Sequence, residues 1–280
     1  MRRTLFALTA LLFVPAAASA QDPNMPTAEA TASPPTSGDP LAKENWPLSG
    51  VDRPLGLSGG MLQLDVNATS SMSKDLVGKP VSLPLALFYG ITNELQLGIL
   101  HSRGVCLTGE EKGCAKVYDD IAVQLVLSLF GRGSSLEMAS WAQLNVASFD
   151  PGILNLQVGG AMNWVVAGGN VAILAYPNVG IGLTERDLPN EETIGAPVAA
   201  YFRAGEKVAP VLFTGLGQTT LDGFGDAYTI PVGLGVLVGL NRTLDIGARF
   251  DMPRLIAKHA DGEGAADTRS LTVWLSVRPL

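Results

Sequence analysis

The stretch Leu244-Asp245-Ile246-Gly247-Ala248-Arg249-Phe250-Asp251-Met252 decides the fold, with apolar residues at every even position and glycine or charged residues at every odd one. Successive side chains of a strand point to opposite faces, so this segment has one oily face and one wet face. The same alternation returns where Leu271, Val273, Leu275 and Val277 interleave with Thr272, Trp274, Ser276 and Arg278. It returns again where Leu62, Leu64, Val66 and Ala68 interleave with Gln63, Asp65, Asn67 and Thr69. A helix would need its apolar residues three and four apart instead.

The ends of the chain place these segments in an exported protein. Arg2 and Arg3 precede an apolar stretch, Leu5 to Val14, and Ala18-Ser19-Ala20 forms a cleavage site before Gln21. This is the arrangement of a secretory signal peptide, assigned to residues 1–20. The apolar stretch is too short to span a hydrocarbon core of roughly 30 Å. Residues 21–52 are rich in Pro, Ala, Ser and Thr, a composition that buries little, and they are expected to form a flexible periplasmic segment. The remaining residues, 53–280, suffice for one barrel. A formal charge of −7 excludes a nucleic-acid partner, because phosphate binding needs a basic face.

A pair of membrane helices is the competing architecture, since Pro151 to Thr184 holds no charged residue. That stretch, however, carries Gly152, Gly159, Gly160, Gly168, Gly169, Gly180 and Gly182, and the run Ala167-Gly168-Gly169-Asn170 reads as a tight turn. Leu154, Leu156 and Val158 alternate with Asn155, Gln157 and Gly159 at period two. The reading is therefore all-β, an antiparallel up-and-down transmembrane β-barrel of about 12 strands in the outer membrane of a Gram-negative bacterium. The strands are approximately 61–70, 81–90, 94–102, 118–129, 135–147, 153–165, 171–183, 194–203, 208–218, 226–239, 243–252 and 270–278.

An even strand count puts both termini on the periplasmic side, with short turns there and longer loops outside. The connections Gly90–Asn93, Phe130–Ser134, Val166–Asn170, Ala204–Lys207 and Gly239–Arg242 are short; Ser71–Pro80, Arg103–Val117, Thr184–Thr193 and Pro253–Arg269 are longer. Ser148–Gly152 breaks the pattern as a short outer loop. Tyr89, Phe130, Trp164 and Phe202 fall where an inner aromatic girdle would lie, and Phe149, Phe224 and Tyr228 where an outer one would. Against the barrel stand Pro84, Pro177, Pro197, Pro210 and Pro231, each removing a ladder donor from a proposed strand. The chain also ends on Leu280 rather than on an aromatic residue.

The run Arg53-Pro54-Leu55-Gly56-Leu57, leading into Gly59-Gly60-Met61-Leu62-Gln63-Leu64, resembles the opening of a family of uncharacterised Gram-negative outer-membrane β-barrels. Phe88-Tyr89-Gly90-Ile91-Thr92-Asn93-Glu94-Leu95-Gln96-Leu97 is similar to their YGLT-x-x-L-x-L element, which also occurs in transporter barrels of aromatic-compound degradation pathways. The resemblance covers residues 53–280. It implies an outer-membrane barrel and a transporter, and it assigns no binding residue.

Cys106 and Cys114 are the only cysteines and share one loop. In an oxidising compartment such a pair is read as a disulfide, and two thiols alone lack the further ligands that zinc needs. No metal and no cofactor is expected. The histidines, His101 and His259, lie far apart in the chain, and no nucleophile spacing accompanies either, so no catalytic residue is assigned. Asp65, Glu94, Asp120, Glu137, Asp245 and Asp251 are placed on the lumen face with Arg249 and Arg278, and Arg249 is expected to pair with Asp245 or Asp251. Gln63, Asn67, Gln96, Gln124, Gln143, Asn145, Asn155 and Gln157 share that face.

The expected function is a passive channel or transporter for small polar or cationic solutes, its cation preference following from the acidic lining. The alternatives are a closed structural or interaction barrel acting through its outer loops, and an outer-membrane hydrolase. The expected partners are outer-membrane lipid and a small polar solute; the sequence sets neither the oligomeric state nor the openness of the lumen.

Overall fold

The computed structural model describes residues 41–73, 76–108, 119–186, 190–222, 224, 228–257 and 268–279. Signal peptide and cleavage site, Cys114 and His259 lie outside them. The strands are β1 (Leu62–Ser71), β2 (Val81–Gly90), β3 (Leu95–Thr108), β4 (Ile121–Phe130), β5 (Leu136–Phe149), β6 (Gly152–Val166), β7 (Val171–Ala175), β8 (Asn178–Gly182), β9 (Thr193–Phe202), β10 (Val208–Thr220), β11 (Thr229–Asn241), β12 (Leu244–Ala257) and β13 (Ser270–Val277). All pairings are antiparallel, and β13 returns to β1 with Val66 opposite Leu275, which closes the sheet. β7 and β8 are two halves of one crossing, because both pair with β6 and with β9. The architecture is a closed antiparallel barrel of twelve crossings.

The alternation sets which face is wet. On β12 and β13 the apolar positions Ile246, Phe250, Leu271, Val273 and Leu275 lie outside, where Val273 is 50% exposed. Asp245, Thr272 and Ser276 are buried inside, with Asp245 at 0%. A surface so apolar without and polar within is stable only when lipid covers the outside. Tyr89, Phe130, Trp164 and Phe202 stand exposed at the end of the barrel that carries the short turns, as an inner girdle requires. Phe149 and Phe224 are exposed as well.

The prolines have structural explanations. Pro84 and Pro231 lie where the register shifts, between Leu83 and Leu85 and between Ile230 and Val232. Pro177 separates β7 from β8, and its carbonyl accepts from Gly160 N at 3.0 Å. Pro197 lies across from that break and accepts from Tyr176 N at 2.9 Å. Pro210 stands one residue before the β9–β10 ladder begins at Val211. None of the five therefore interrupts a continuous two-sided ladder.

Two expected outer loops begin later than the sequence suggested. Arg103–Thr108 extends β3 and Pro253–Ala257 extends β12. A larger departure concerns residues 41–52, expected to belong to a flexible segment. They fold with residues 53–61 into a strap across the turn end of the barrel, including 3₁₀ turns at Lys43–Asn45 and Gly50–Asp52. Trp46, Val51, Leu57 and Met61 of this strap are buried. The Gly50–Asp52 turn, with Val51 buried in it, packs against β7, β9, β10 and β11, and Trp46, Leu57 and Met61 cluster against Phe88.

Candidate functional site

The strap has no sheet partner along most of its length, so its backbone groups need side chains to bond. The barrel wall supplies them from several strands. Gln96 on β3 accepts from Leu57 N at 2.9 Å, and Glu137 on β5 accepts from Leu55 N at 3.2 Å. Asn163 on β6 donates to Arg53 O at 3.0 Å, while Arg132 in the β4–β5 turn donates to Gly56 O at 2.9 Å. Arg203, just after β9, forks onto Asp52. Two glycines make room for the approach: a Cβ on Gly90 would overlap the Ser58 carbonyl, and one on Gly239 would overlap that of Leu48.

The electrostatic centre of this end is Asp245. Arg53 reaches it with both terminal nitrogens, at 2.6 and 2.7 Å, and Arg278 reaches the same carboxylate. Arg278 also donates to Gln63 Oε1 at 2.8 Å and to Arg242 O at 3.2 Å, and it lies over the Trp46 ring. One buried carboxylate therefore ties the strap, β12 and the C-terminal end of the chain together. Such a group resists removal of any partner, because an uncompensated buried charge remains.

Beyond the strap, the wall of β4, β5 and β6 carries a run of neutral amides. Gln124 donates to Gln143 at 3.0 Å, Gln143 to Asn145 at 2.6 Å, and Asn145 to Asn155 at 2.7 Å. Bonds in such a row polarise one another and fix the side chains toward the lumen. The other wall carries Asp65, held by Gln63, and an Arg249–Asp251 pair at 2.6 Å, with Arg249 over the Phe213 ring. A cavity of 560 Å³ lies against the strap and the amides, and one of 540 Å³ lies against the charged wall. Both include Arg53, Gln63 and Arg278 in their linings.

No known protein family matches the chain, and no curated protein sequence is similar to it. Several solved structures share its fold. A NanC porin aligns with a TM-score of 0.55 at 9% identity, covering 76% of this chain and 98% of the porin. An outer-membrane channel from Pseudomonas putida F1 aligns at 0.52 and 12% identity, over 80% and 97% of the two chains. A KdgM porin aligns at 0.52 and 6% identity, over 77% and 98%. This chain has the closed β-barrel fold of these outer-membrane proteins.

Within that barrel most of the expected lumen residues keep their inward parity. Asp65, Glu137, Asp245, Asp251, Arg249 and Arg278 all point inward, and Arg249 takes Asp251 as its partner rather than Asp245. Asp120 lies at the outer end of β4, bonded to Arg103 through the Arg103 backbone N at 2.7 Å and its Nε at 3.1 Å. Glu94 is a correction. It is exposed in the β2–β3 turn, where Thr92 Oγ1 donates to it at 2.9 Å, and it does not line the lumen. The turn closes one residue later than the alternation implied, because Thr92 Oγ1 also caps the backbone N of Glu94 and Leu95.

The sequence reading missed Arg53 and Arg132, which the strap and a turn bring to the interior, and Arg103, an exposed side chain of the β3 extension that pairs with Asp120 at the outer end. Among the described residues, Asp65, Asp120, Glu137, Asp245 and Asp251 are thus equalled in number by Arg53, Arg103, Arg132, Arg249 and Arg278; Asp120, Asp245 and Asp251 are ion-paired, while Asp65 is bonded by Gln63 and Glu137 by Leu55 N and Ser128. These arginines offset the acidic excess from which the cation preference was drawn. Arg53 stood in a motif read as the barrel's opening; its distance in sequence from Asp245 hid the pair. His101 accepts from Gly104 N at 3.0 Å through Nδ1 and faces the exterior beside Leu64, Leu85 and Ile99, away from the lumen. Cys106 lies near the end of β3, and its expected partner lies outside the described residues. Among the described residues no three metal-ligating side chains cluster.

Proposed function

We propose that this barrel is a passive outer-membrane channel for small polar solutes, narrowed at its periplasmic end by residues 41–61. The observation that carries this reading is the lumen: polar amides and ion-paired arginines line two cavities that share Arg53, Gln63 and Arg278. A barrel that served only as a membrane anchor would gain more from apolar filling than from buried amides that each need a partner. The porins and the channel that share the fold support the same class, as does the resemblance to transporter barrels of aromatic-compound degradation. Because the charges are balanced, discrimination rests on size and hydrogen bonding more than on ionic sign.

Purified protein, shown to be folded by its altered gel migration before boiling, is tested in planar bilayers. Discrete conductance steps are expected. Their absence from folded protein overturns the channel reading. The strap favours one other reading, a closed barrel acting through its outer loops, since so many side chains fix it in place. In that case conductance is absent from the unmodified protein and appears only when the strap is displaced.

A further inference from the structure

The 560 Å³ cavity falls within the size range of built small-molecule sites, roughly 300–1,000 Å³. Its floor is the strap, and its walls combine the aromatic side chains of Trp46, Phe88, Trp141 and Tyr176 with glutamines from separate strands. The two arginines that border it, Arg53 and Arg278, are faced by two carboxylates: Asp245, which both reach, and Asp65, joined to Arg278 through Gln63. It therefore presents no uncompensated charge to a ligand. It does present unused hydrogen-bonding groups. Gln157 makes no side-chain hydrogen bond among the described residues, and the carbonyl of Gln124 is not used by its amide row. Two further residues in the lining, Trp46 at 4% exposure and Asn178 at 7%, each hold a buried polar atom without a partner: the donor Nε1 and the acceptor Oδ1. Buried polar atoms of this kind are normally satisfied.

We propose that this cavity is a binding site for a neutral saccharide of one or two rings. A sugar ring offers an apolar C–H face to an aromatic side chain and a rim of hydroxyls, each both donor and acceptor, to amides. Trp141 and Phe88 supply flat apolar surface, Trp46 supplies its ring N–H, and Gln124, Gln157 and Asn178 supply further groups for the hydroxyls. A carboxylated sugar would bring a charge for which neither arginine is available, and a purely apolar ligand would leave the amides unmet. The inference deepens the channel reading but stands on the cavity alone, so the two can fail separately.

The test uses the full mature barrel in a detergent without a sugar headgroup, such as an amine oxide. Maltose is titrated while tryptophan fluorescence and calorimetry are recorded, with sodium galacturonate as the charged comparison. Saturable maltose binding, at least tenfold tighter than galacturonate, is expected. Gln157→Leu and, separately, Gln124→Leu should each weaken it about tenfold in protein that remains heat-modifiable, and Trp46→Phe should reduce the fluorescence change. Absence of saturable maltose, lactose and cellobiose binding to the folded barrel overturns the site. So does preference for galacturonate, or maltose affinity unchanged in both glutamine variants. Conductance without sugar binding refutes the site and leaves the channel; sugar binding without conductance does the reverse.

Discussion

Arg53 and Asp245, 192 residues apart in sequence, form a two-pronged ion pair at 2.6 and 2.7 Å inside the turn end of the barrel. The pair fixes the strap to β12, and Arg278 completes it from the last strand's far side. In the proposed channel a strap bound this way is a fixed constriction, since Gln96, Glu137 and Asn163 hold its backbone in addition to the ion pair.

Asp245→Asn should release the constriction. It leaves two buried guanidiniums facing a neutral amide, a change that costs about 3–5 kcal/mol when a buried pair loses one partner. Single-channel conductance is expected to rise and the temperature of heat modification to fall. Arg53→Met should have a smaller effect on stability, since Arg278 still neutralises Asp245. Equal effects of the two substitutions would contradict the arrangement.

Gly239→Val tests the strap by steric means. A side chain there collides with the Leu48 carbonyl, while the outer surface of β11 is untouched. The folded barrel should still form, with larger conductance steps than the unmodified protein. Unchanged conductance in a folded variant would mean that the strap does not limit flow.

Charge balance predicts weak ionic selectivity. Reversal potentials under a potassium chloride gradient should lie near zero for the unmodified protein. Arg249→Gln frees Asp251 from its 2.6 Å partner and should tilt the channel toward cations. Strong cation selectivity before any substitution would show that the arginines do not offset the lumen acids.

The expected Cys106–Cys114 disulfide is testable by alkylation of the unreduced mature protein. No accessible thiol should be found until reductant is added. Reduction should lower stability by about 2–3 kcal/mol on the chain-entropy estimate for a small ring. Quantitative labelling without reductant would refute the bond.

Much of the barrel was legible because its signal is local. Leu244 to Met252 shows the wet and oily faces within nine positions, and β12 carries Asp245, Arg249 and Asp251 inward as that alternation requires. Short turns rich in Gly and Asn fell at one end for the same reason. Glu94 was misplaced because parity continues on paper through a turn whose Thr92 cap, in space, ends the strand. The prolines looked like errors because sequence does not reveal register shifts such as that around Pro84.

By itself, the sequence determined the period-two strands, most of the residues on their inward faces, and the number of crossings. Period two is a property of neighbouring side chains, so it can be read from neighbours. Only the tertiary structure decided that residues 41–61 enter the barrel, and that Arg53, Arg132 and Arg278 neutralise or anchor groups from distant strands. No local pattern marks such a segment. Its order comes from Gln96, Asn163, Glu137 and Asp245, which meet its backbone and its arginine only once the wall has closed around them.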